Sequence, residues 1–431
     1  MLSKLINALA LAAAAAAACA CTPLTLSWAK MSGKGDAAAP PLFAEMGGSA
    51  PTVEAWERTE RPRLLALFED NVYGALPDAS EARVVSQVVL DEAAFGGLGR
   101  LEEYRIEAKA SFDGVVASTE TLAPGGFVVD LLTPAGAGRH PVILMETFCP
   151  RWNTIPHPKV SRPADAKPEM AGPMASVANY VFGRYICTPP VEEILKRGYG
   201  IAAIFPSEVV PDESKAGLAA LAALSAGHKE AETRWGAIAA WSWIFSRAID
   251  AIGSNDHVDP DALVVWGHSR YGKAALLAAA VDRRIDAVVA HQSGTGGASL
   301  SKRKKGESVK GITSQYPHWF AEAYARYAGR EEDLPIDQHQ LLALVAPTPI
   351  LLGNARRDVW SDPNGAFRAA KGADPAYKLY GSKGLTQATL AGFDPDADLA
   401  FWIRPGTHGV VKEDWPAFLA FLDAHFEGGA R

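Results

Sequence analysis

From about residue 100 onward, short apolar runs alternate with stretches of helical period. "RLEEYRIEA" (Arg100–Ala108) and "FVVDLLTP" (Phe127–Pro134) predict strands, and "HPVILMETF" (His140–Phe148) predicts a buried one. "VEEILKRGYG" (Val191–Gly200) has helical spacing and a glycine stop, and it leads into a strand, "IAAIFPS" (Ile201–Ser207). Residues Arg234–Ser254 form a long helix that is apolar nearly all round, which predicts deep burial. Strand Ala262–Trp266, helix Arg270–Ala280 and strands Ala287–Gln292, Pro349–Asn354 and Leu399–Arg404 follow, and an amphipathic helix, Lys412–Phe426, closes the chain. Apolar strands alternating with helices imply an α/β fold: a mostly parallel sheet covered on both faces, with an antiparallel start from the early strands. Two long irregular stretches interrupt it. Pro150–Pro190 is proline-rich and Ser299–Leu334 is charged and aromatic, the sizes at which loops act as lids or binding loops or are disordered.

The N-terminus departs from this pattern. Lys4 and the apolar run Leu5–Ala18, followed by "ACAC", have the form of a secretory signal, residues 1–21. Cys19 or Cys21 is a candidate lipid-attached first residue; cleavage after Ala20 is the alternative. Residues 22–50, rich in alanine, glycine and proline, predict a flexible tether, leaving 51–431 as one catalytic domain, expected to be a monomer in the periplasm or outside the cell or held at the outer membrane. Of 431 residues, 48% are hydrophobic, enough for a large core, and the net charge of −7 without a basic block excludes a nucleic-acid partner. Beyond the leader, Cys149 and Cys187 leave one disulfide open. No CxxC or HExxH pattern supports a metal site, and no cofactor is called for.

The chemistry concentrates in "VVWGHSRYG", a strand, a sharp turn and a helix. In α/β hydrolases such a turn exposes a nucleophilic serine within G-x-S-x-G. Gly267 fits that pattern, but Tyr271 stands where the second glycine belongs and Gly272 comes one residue late. Ser269 is therefore either the nucleophile or a helix N-cap. The apolar strand leading into it and the partners downstream favour the nucleophile. A serine hydroxyl needs a base and an orienting acid, in the hydrolase order Ser, Asp or Glu, His. Among ten histidines, His408 in "RPGTHGVV" has both the order and a loop setting between the last strand and last helix. For the acid, Asp362 precedes Pro363 and reads as a helix cap, so Asp358 is the candidate; its alternative is a surface ion pair with Arg356 or Arg357.

Two cations, Arg270 and Lys273, lie where the helix begins, an end that carries partial positive charge. Either they meet an oxygen-rich or anionic group above the turn, or they are solvated side chains reaching nearby carboxylates. The backbone N–H of Arg270 would also face a developing oxyanion.

"GHSRYGKAA" resembles the G-x-S-R-x-G-K-A signature of the glucuronoyl esterases, carbohydrate esterase family 15, in their bacterial form. "WGAIAAWSWIFSRAID", "QSGTGGASLSKRKKGESV", "PHWF", "LPIDQHQLLALVAPTPILL" and "DVWSDPNGAF" resemble further family blocks in family order, from roughly Trp56 to the end. The resemblance implies a three-layer α/β-hydrolase sandwich. It implies a substrate ester between 4-O-methyl-glucuronic acid of glucuronoxylan and a lignin alcohol. Ser269 would attack the uronoyl carbonyl, His408 would shuttle the proton, Arg270 would assist the oxyanion, and Lys273, Glu307 and Trp360 would bind the sugar. Many members carry a catalytic glutamate in an "ESG" block. This chain reads "HQSGTGG", with Gln292 in that position, assigned to substrate binding and to orienting the histidine, and the acid shifts to Asp358. Two other functions remain in play. An acetylxylan or other carbohydrate esterase would have no use for a cationic clamp, and a non-catalytic surface glycan-binding protein would have no use for an intact serine and histidine.

Overall fold

The computed structural model describes residues 38–43, 50–163, 182–303 and 306–426. Its strands are β1 (Ala79–Ala93), β2 (Gly99–Phe112), β3 (Val115–Ser118), β4 (Phe127–Pro134), β5 (His140–Glu146), β6 (Gly200–Ile204), β7 (Val258–His268), β8 (Ala287–His291), β9 (Ile350–Ala355) and β10 (Leu399–Arg404). They form one sheet in the order β1-β2-β4-β6-β5-β7-β8-β9-β10, with β3 beside β2. The β1, β2, β3, β4 wing is antiparallel, and from β6 to β10 every pairing is parallel. Because β6 lies on one side of β5 and β7 on the other, the chain reverses direction across the sheet at β5. Ligands in open α/β sheets bind outside the C-terminal strand ends at such a reversal.

The period of two along the central strands sorts their side chains into two cores. Val142, Leu144, Leu263, Val265, Val288 and Leu352 join one cluster, while their neighbours Ile143, Met145, Val264, Trp266, Val289 and Leu351 join the other. The principal helices are α1 (Arg61–Phe68), α2 (Val191–Lys196), α3 (Ser214–Leu224), α4 (Ala237–Ile252), α5 (Arg270–Val281), α6 (Gln338–Val345), α7 (Pro363–Leu379) and α8 (Asp414–His425). Residues of α4 to α7 pack in the first core; α2 and α8 cover the other face, giving three layers. Helix α4 is buried all round apart from Asp250, as its uninterrupted apolar surface predicts.

Several expectations shift. The long edge strand β1 and helices α1, α3 and α6 have no counterpart in the sequence reading, and α7 is announced there only by its cap, Asp362, and the proline that follows. The signal segment and most of the tether lie outside the described residues. Residues 38–43 of that tether are packed on the domain, because Leu42 and Phe43 are apolar and find a buried seat, Phe43 edge-on to Trp56 at 5.9 Å between ring centroids. Cys149 and Cys187 are joined in a disulfide, with 5.3 Å between their Cα atoms. Among the described residues no helix is long and apolar enough to cross a membrane.

Candidate active site

Ser269 stands at the bend between β7 and α5 with φ 58° and ψ −119°, a left-handed conformation that costs a non-glycine residue about 1–3 kcal/mol. The bend is held by the Ser269 amide donating to the His291 carbonyl (2.8 Å) and by the Gly272 amide donating to the Ser269 carbonyl (3.0 Å). Two glycines permit the crossing. A Cβ on Gly267 would come within 2.1 Å of the Tyr271 carbonyl oxygen, and one on Gly272 within 3.0 Å of the Gly267 oxygen. Gly272 thus serves the strand–helix contact one residue later than the common motif, and Tyr271 turns into the core. The Ser269 side chain makes no cap bond, so the N-cap alternative is not what holds it here. As the first residue of α5, Arg270 has a backbone N–H with no helical partner, available to a developing oxyanion.

Two neighbouring strands bring the other groups. Asp358 follows β9 and His408 follows β10, and His408 Nδ1 lies 2.7 Å from Asp358 Oδ2. The other carboxylate oxygen accepts the amides of Trp360 (3.2 Å) and Ser361 (3.1 Å), fixing the rotamer. Burial pushes the Asp358 carboxyl up, but the adjacent imidazole and these bonds outweigh it and hold it below the ordinary carboxylate value. The surface ion pair with Arg356 or Arg357 is not the arrangement found, since Asp358 is buried against His408. Asp362 instead caps α7, accepting the Gly365 amide at 3.0 Å ahead of Pro363. Behind His408 stands a buried pair the sequence did not single out as a unit. His268 packs its ring on His408 (4.6 Å between centroids) and meets His291 Nδ1 to Nδ1 at 3.1 Å. Burial drives His268 well down from the usual histidine value, which keeps it neutral.

The two cations both have protein partners. Arg270 pairs with Asp212, whose Oδ1 also accepts Trp319 Nε1 (2.8 Å) and lies 3.1 Å from His318 Nε2. The guanidinium lies over Trp319 at 4.5 Å from the ring centroid, with Tyr316 and Phe148 further out. Lys273 is buried and donates to the Ser293 carbonyl. Contact with a nearby carboxylate, the blander expectation, therefore accounts for part of Arg270. Yet the carboxylate and its indole and imidazole partners hold the guanidinium in place. Asp212, Tyr316, His318 and Trp319 were missed as a group because Asp212 lies about a hundred positions before the "YPHWF" stretch that holds the other three, and nothing in the sequence links the two.

Ser269, His408, Arg270, Lys273, Glu307, Trp360 and Gln292 all line one cavity of about 290 Å³, joined by Phe182 and Tyr316. Asp358 lies behind it. A larger open cleft of about 640 Å³ beside Phe95 and Tyr185 holds none of these groups. Trp360 is exposed, its ring nearly perpendicular to that of His408. Of the two roles expected of Gln292, the bonds of its side chain suit orientation of the histidine, reached through the backbone. Both ends of its amide are bonded to backbone of the His408 loop rather than left open to a substrate. Among the described residues no group of His, Cys, Asp and Glu side chains could hold a metal ion.

A bent serine and two cations lining one cavity, with a histidine there held by a buried carboxylate behind it, make an ester hydrolase arrangement, and comparison with known proteins agrees. The chain is 31% identical over 396 residues to "Carbohydrate esterase MZ0003" from an unknown prokaryotic organism, a match spanning 90% of each chain. The chain belongs to carbohydrate esterase family 15, the glucuronoyl esterases. A family model described as "Glucuronyl esterase, fungi" matches residues 228–381. The 4-O-methyl-glucuronoyl methylesterase of Schizophyllum commune is 34% identical over 155 residues, covering 34% of this chain and 39% of the relative. In structure, a promiscuous esterase of family 15 from a marine bacterial metagenome superimposes with TM-score 0.75 at 29% identity, over 91% of this chain and 99% of its own. A glucuronoyl esterase from Solibacter usitatus gives 0.72 at 29% identity, over 90% and 98%. The esterase is thus a carboxylic ester hydrolase of glucuronoyl type on an α/β-hydrolase fold.

Proposed function

We propose that the esterase cleaves the ester between 4-O-methyl-glucuronic acid of glucuronoxylan and a lignin alcohol through an acyl-enzyme on Ser269. His408 Nδ1 is taken by Asp358, so Nε2 is the nitrogen free to receive the Ser269 proton as the hydroxyl oxygen bonds to the uronoyl carbon. The carbonyl oxygen becomes an oxyanion next to the Arg270 N–H and guanidinium. As the intermediate collapses, the C–O bond to the alcohol breaks and His408 returns the proton to the leaving oxygen. Water, deprotonated by the same imidazole, then frees the glucuronate and regenerates Ser269. Asp358 stays ionised and stabilises the imidazolium formed in each half of the cycle.

The observation that carries this reading is the 2.7 Å pair of His408 and Asp358 opening on the same cavity as strained Ser269. Arg270, Lys273, Glu307 and Trp360 on its walls suit a hydroxylated, acidic sugar better than an acetyl group, and the names of relatives such as the 4-O-methyl-glucuronoyl methylesterase of Schizophyllum commune support the same substrate class. Purified esterase is expected to hydrolyse benzyl glucuronate and to lose nearly all of that activity in Ser269→Ala; turnover of acetyl esters alone would reverse the specificity. We further propose that residues 1–21 direct export, with Cys19 or Cys21 as the candidate lipid-bearing residue and plain cleavage near Ala20 as the alternative. Mass spectrometry of the mature N-terminus decides it: an unmodified first residue removes the lipid anchor.

A further inference from the structure

We propose that Gln292 is a positioning residue that clamps the loop on both sides of His408, and that it must be an amide to do so. This rests on the reading of His408 as the base. Gln292 directly follows β8 and has φ 51°, a left-handed conformation fixed by its amide donating to the Gly353 carbonyl at 2.7 Å. The turn aims the side chain at the neighbouring loop. There Oε1 accepts the Gly409 amide at 2.8 Å, and Nε2 donates to the Thr407 carbonyl at 3.3 Å. One carboxamide therefore ties the residue before the histidine and the residue after it. The side chain is 1% exposed, so neither bond is exchanged for water without loss.

A second side chain grips the same loop. Arg404, at the end of β10 and buried, donates from Nη1 to Pro405 O (2.9 Å) and Thr407 O (3.3 Å), and from Nη2 to Gly409 O (2.6 Å). Its Nε lies 2.9 Å from both oxygens of buried Asp414, which supplies the counter-charge and also accepts the Val411 amide at 2.9 Å. The Thr407 carbonyl thus takes donors from both Gln292 and Arg404, and Gly409 is gripped through both its N–H and its C=O. Asp358 orients the ring, and this clamp orients the backbone that bears the ring.

The chemistry specifies glutamine. A carboxylate of the same size can accept from Gly409 N–H but has no hydrogen for Thr407 O, and would set two acceptors against each other. A protonated carboxyl regains one donor. The charged and titratable groups around this position are His268 and His291 on the adjoining strand ends, Arg404, His408 and Asp414 on the loop side, Asp358 behind His408, and Arg270, Lys273 and Glu307 around the cavity. Those groups are common to wild type and variant, so the ratio of the two activities isolates the substituted side chain.

The test is steady-state hydrolysis of benzyl glucuronate by the full-length protein with Gln292→Glu and Gln292→Leu, measured between about pH 8 and about pH 5. Displacing a catalytic group slightly costs kcat more than KM, so kcat is expected to fall about tenfold or more in both at the alkaline end, with KM within about twofold. As pH falls, Gln292→Glu should recover towards wild type while Gln292→Leu should not. A purely structural lesion would give no such recovery. Gln292→Glu matching or exceeding wild type at about pH 8 overturns the inference, as does a kcat within twofold of wild type for Gln292→Leu. His408→Ala is run alongside. If it stays active, the base assignment falls; if it is inactive while both Gln292 variants equal wild type, only the clamp falls.

Discussion

Two adjacent strand ends face His408, and they treat it differently. The loop after β9 presents Asp358, a buried carboxylate that grips the ring through Nδ1. The end of β8 presents Gln292, a buried amide that grips the backbone on either side. In the proposed mechanism a carboxylate stabilises the charge that develops on the imidazole; an amide supplies one donor and one acceptor to backbone groups that are neutral. The division of labour follows from what each side chain has to offer. It also shows why two polar residues of similar size, both essentially inaccessible to solvent, should not be interchangeable.

Removing the charge should hurt most. Asp358→Asn is expected to lower kcat by about 10³–10⁴-fold, equivalent to about 4–5.5 kcal/mol of transition-state stabilisation, while folding is retained. A loss no greater than that of Gln292→Leu, measured on benzyl glucuronate, would erase the distinction between the two strand ends. The double variant Asp358→Asn with Gln292→Glu sharpens it further. If position 292 only serves the backbone, adding a carboxylate there does not restore activity, and recovery above about tenfold over Asp358→Asn would show that the two ends can exchange roles. Next in size is Arg404→Lys, which keeps a cation for Asp414 but cannot span three carbonyls; kcat should drop about ten- to hundredfold with KM nearly constant. An unchanged kcat would leave the clamp resting on Gln292 alone.

The smallest effect concerns acid stability. Because its carboxyl is depressed in the folded state relative to the unfolded chain, ionised Asp358 stabilises the fold above the ordinary carboxylate range, and that contribution is lost as pH falls through the lowered value. The advantage of wild type over Asp358→Asn in urea midpoint should thus be constant from neutral down to about pH 5 and shrink below about pH 4. A gap that widens towards acid would contradict the sign of the shift.

The parts of this arrangement that lie in one short stretch could be read directly. The apolar run into Gly267, the serine and the following glycine announce the bend, and the proline after Asp362 marks that residue as a cap, leaving Asp358 as the acid candidate. Strands β4 and β10 have the bounds their hydrophobic runs predict, since burial on both faces leaves only the flanking turns as punctuation. Strand β1 escaped notice because an edge strand is largely exposed, and its valines come in pairs, Val84–Val85 and Val88–Val89, rather than in alternation. Of helix α7 only the start was legible, because Gly365, Gly372 and Pro375 beyond the cap disfavour helices but are tolerated once the apolar face is packed. The clamp was invisible for a different reason: its acceptors are carbonyls of Pro405, Thr407 and Gly409, and backbone groups leave no mark in a sequence. Likewise, nothing adjacent to Arg270 announces Asp212, which is brought to it by the tertiary fold.

The proposed reaction depends on covalent attack by Ser269 on a uronate ester, with proton transfer through the His408–Asp358 pair. Its most direct measurement is rapid acid quench of the esterase during turnover of benzyl glucuronate, followed by peptide mass spectrometry. A glucuronoyl adduct is expected on the peptide containing Ser269, accumulating within the first turnover and absent from Ser269→Ala. An adduct on a different residue, or undiminished hydrolysis by Ser269→Ala, would contradict it.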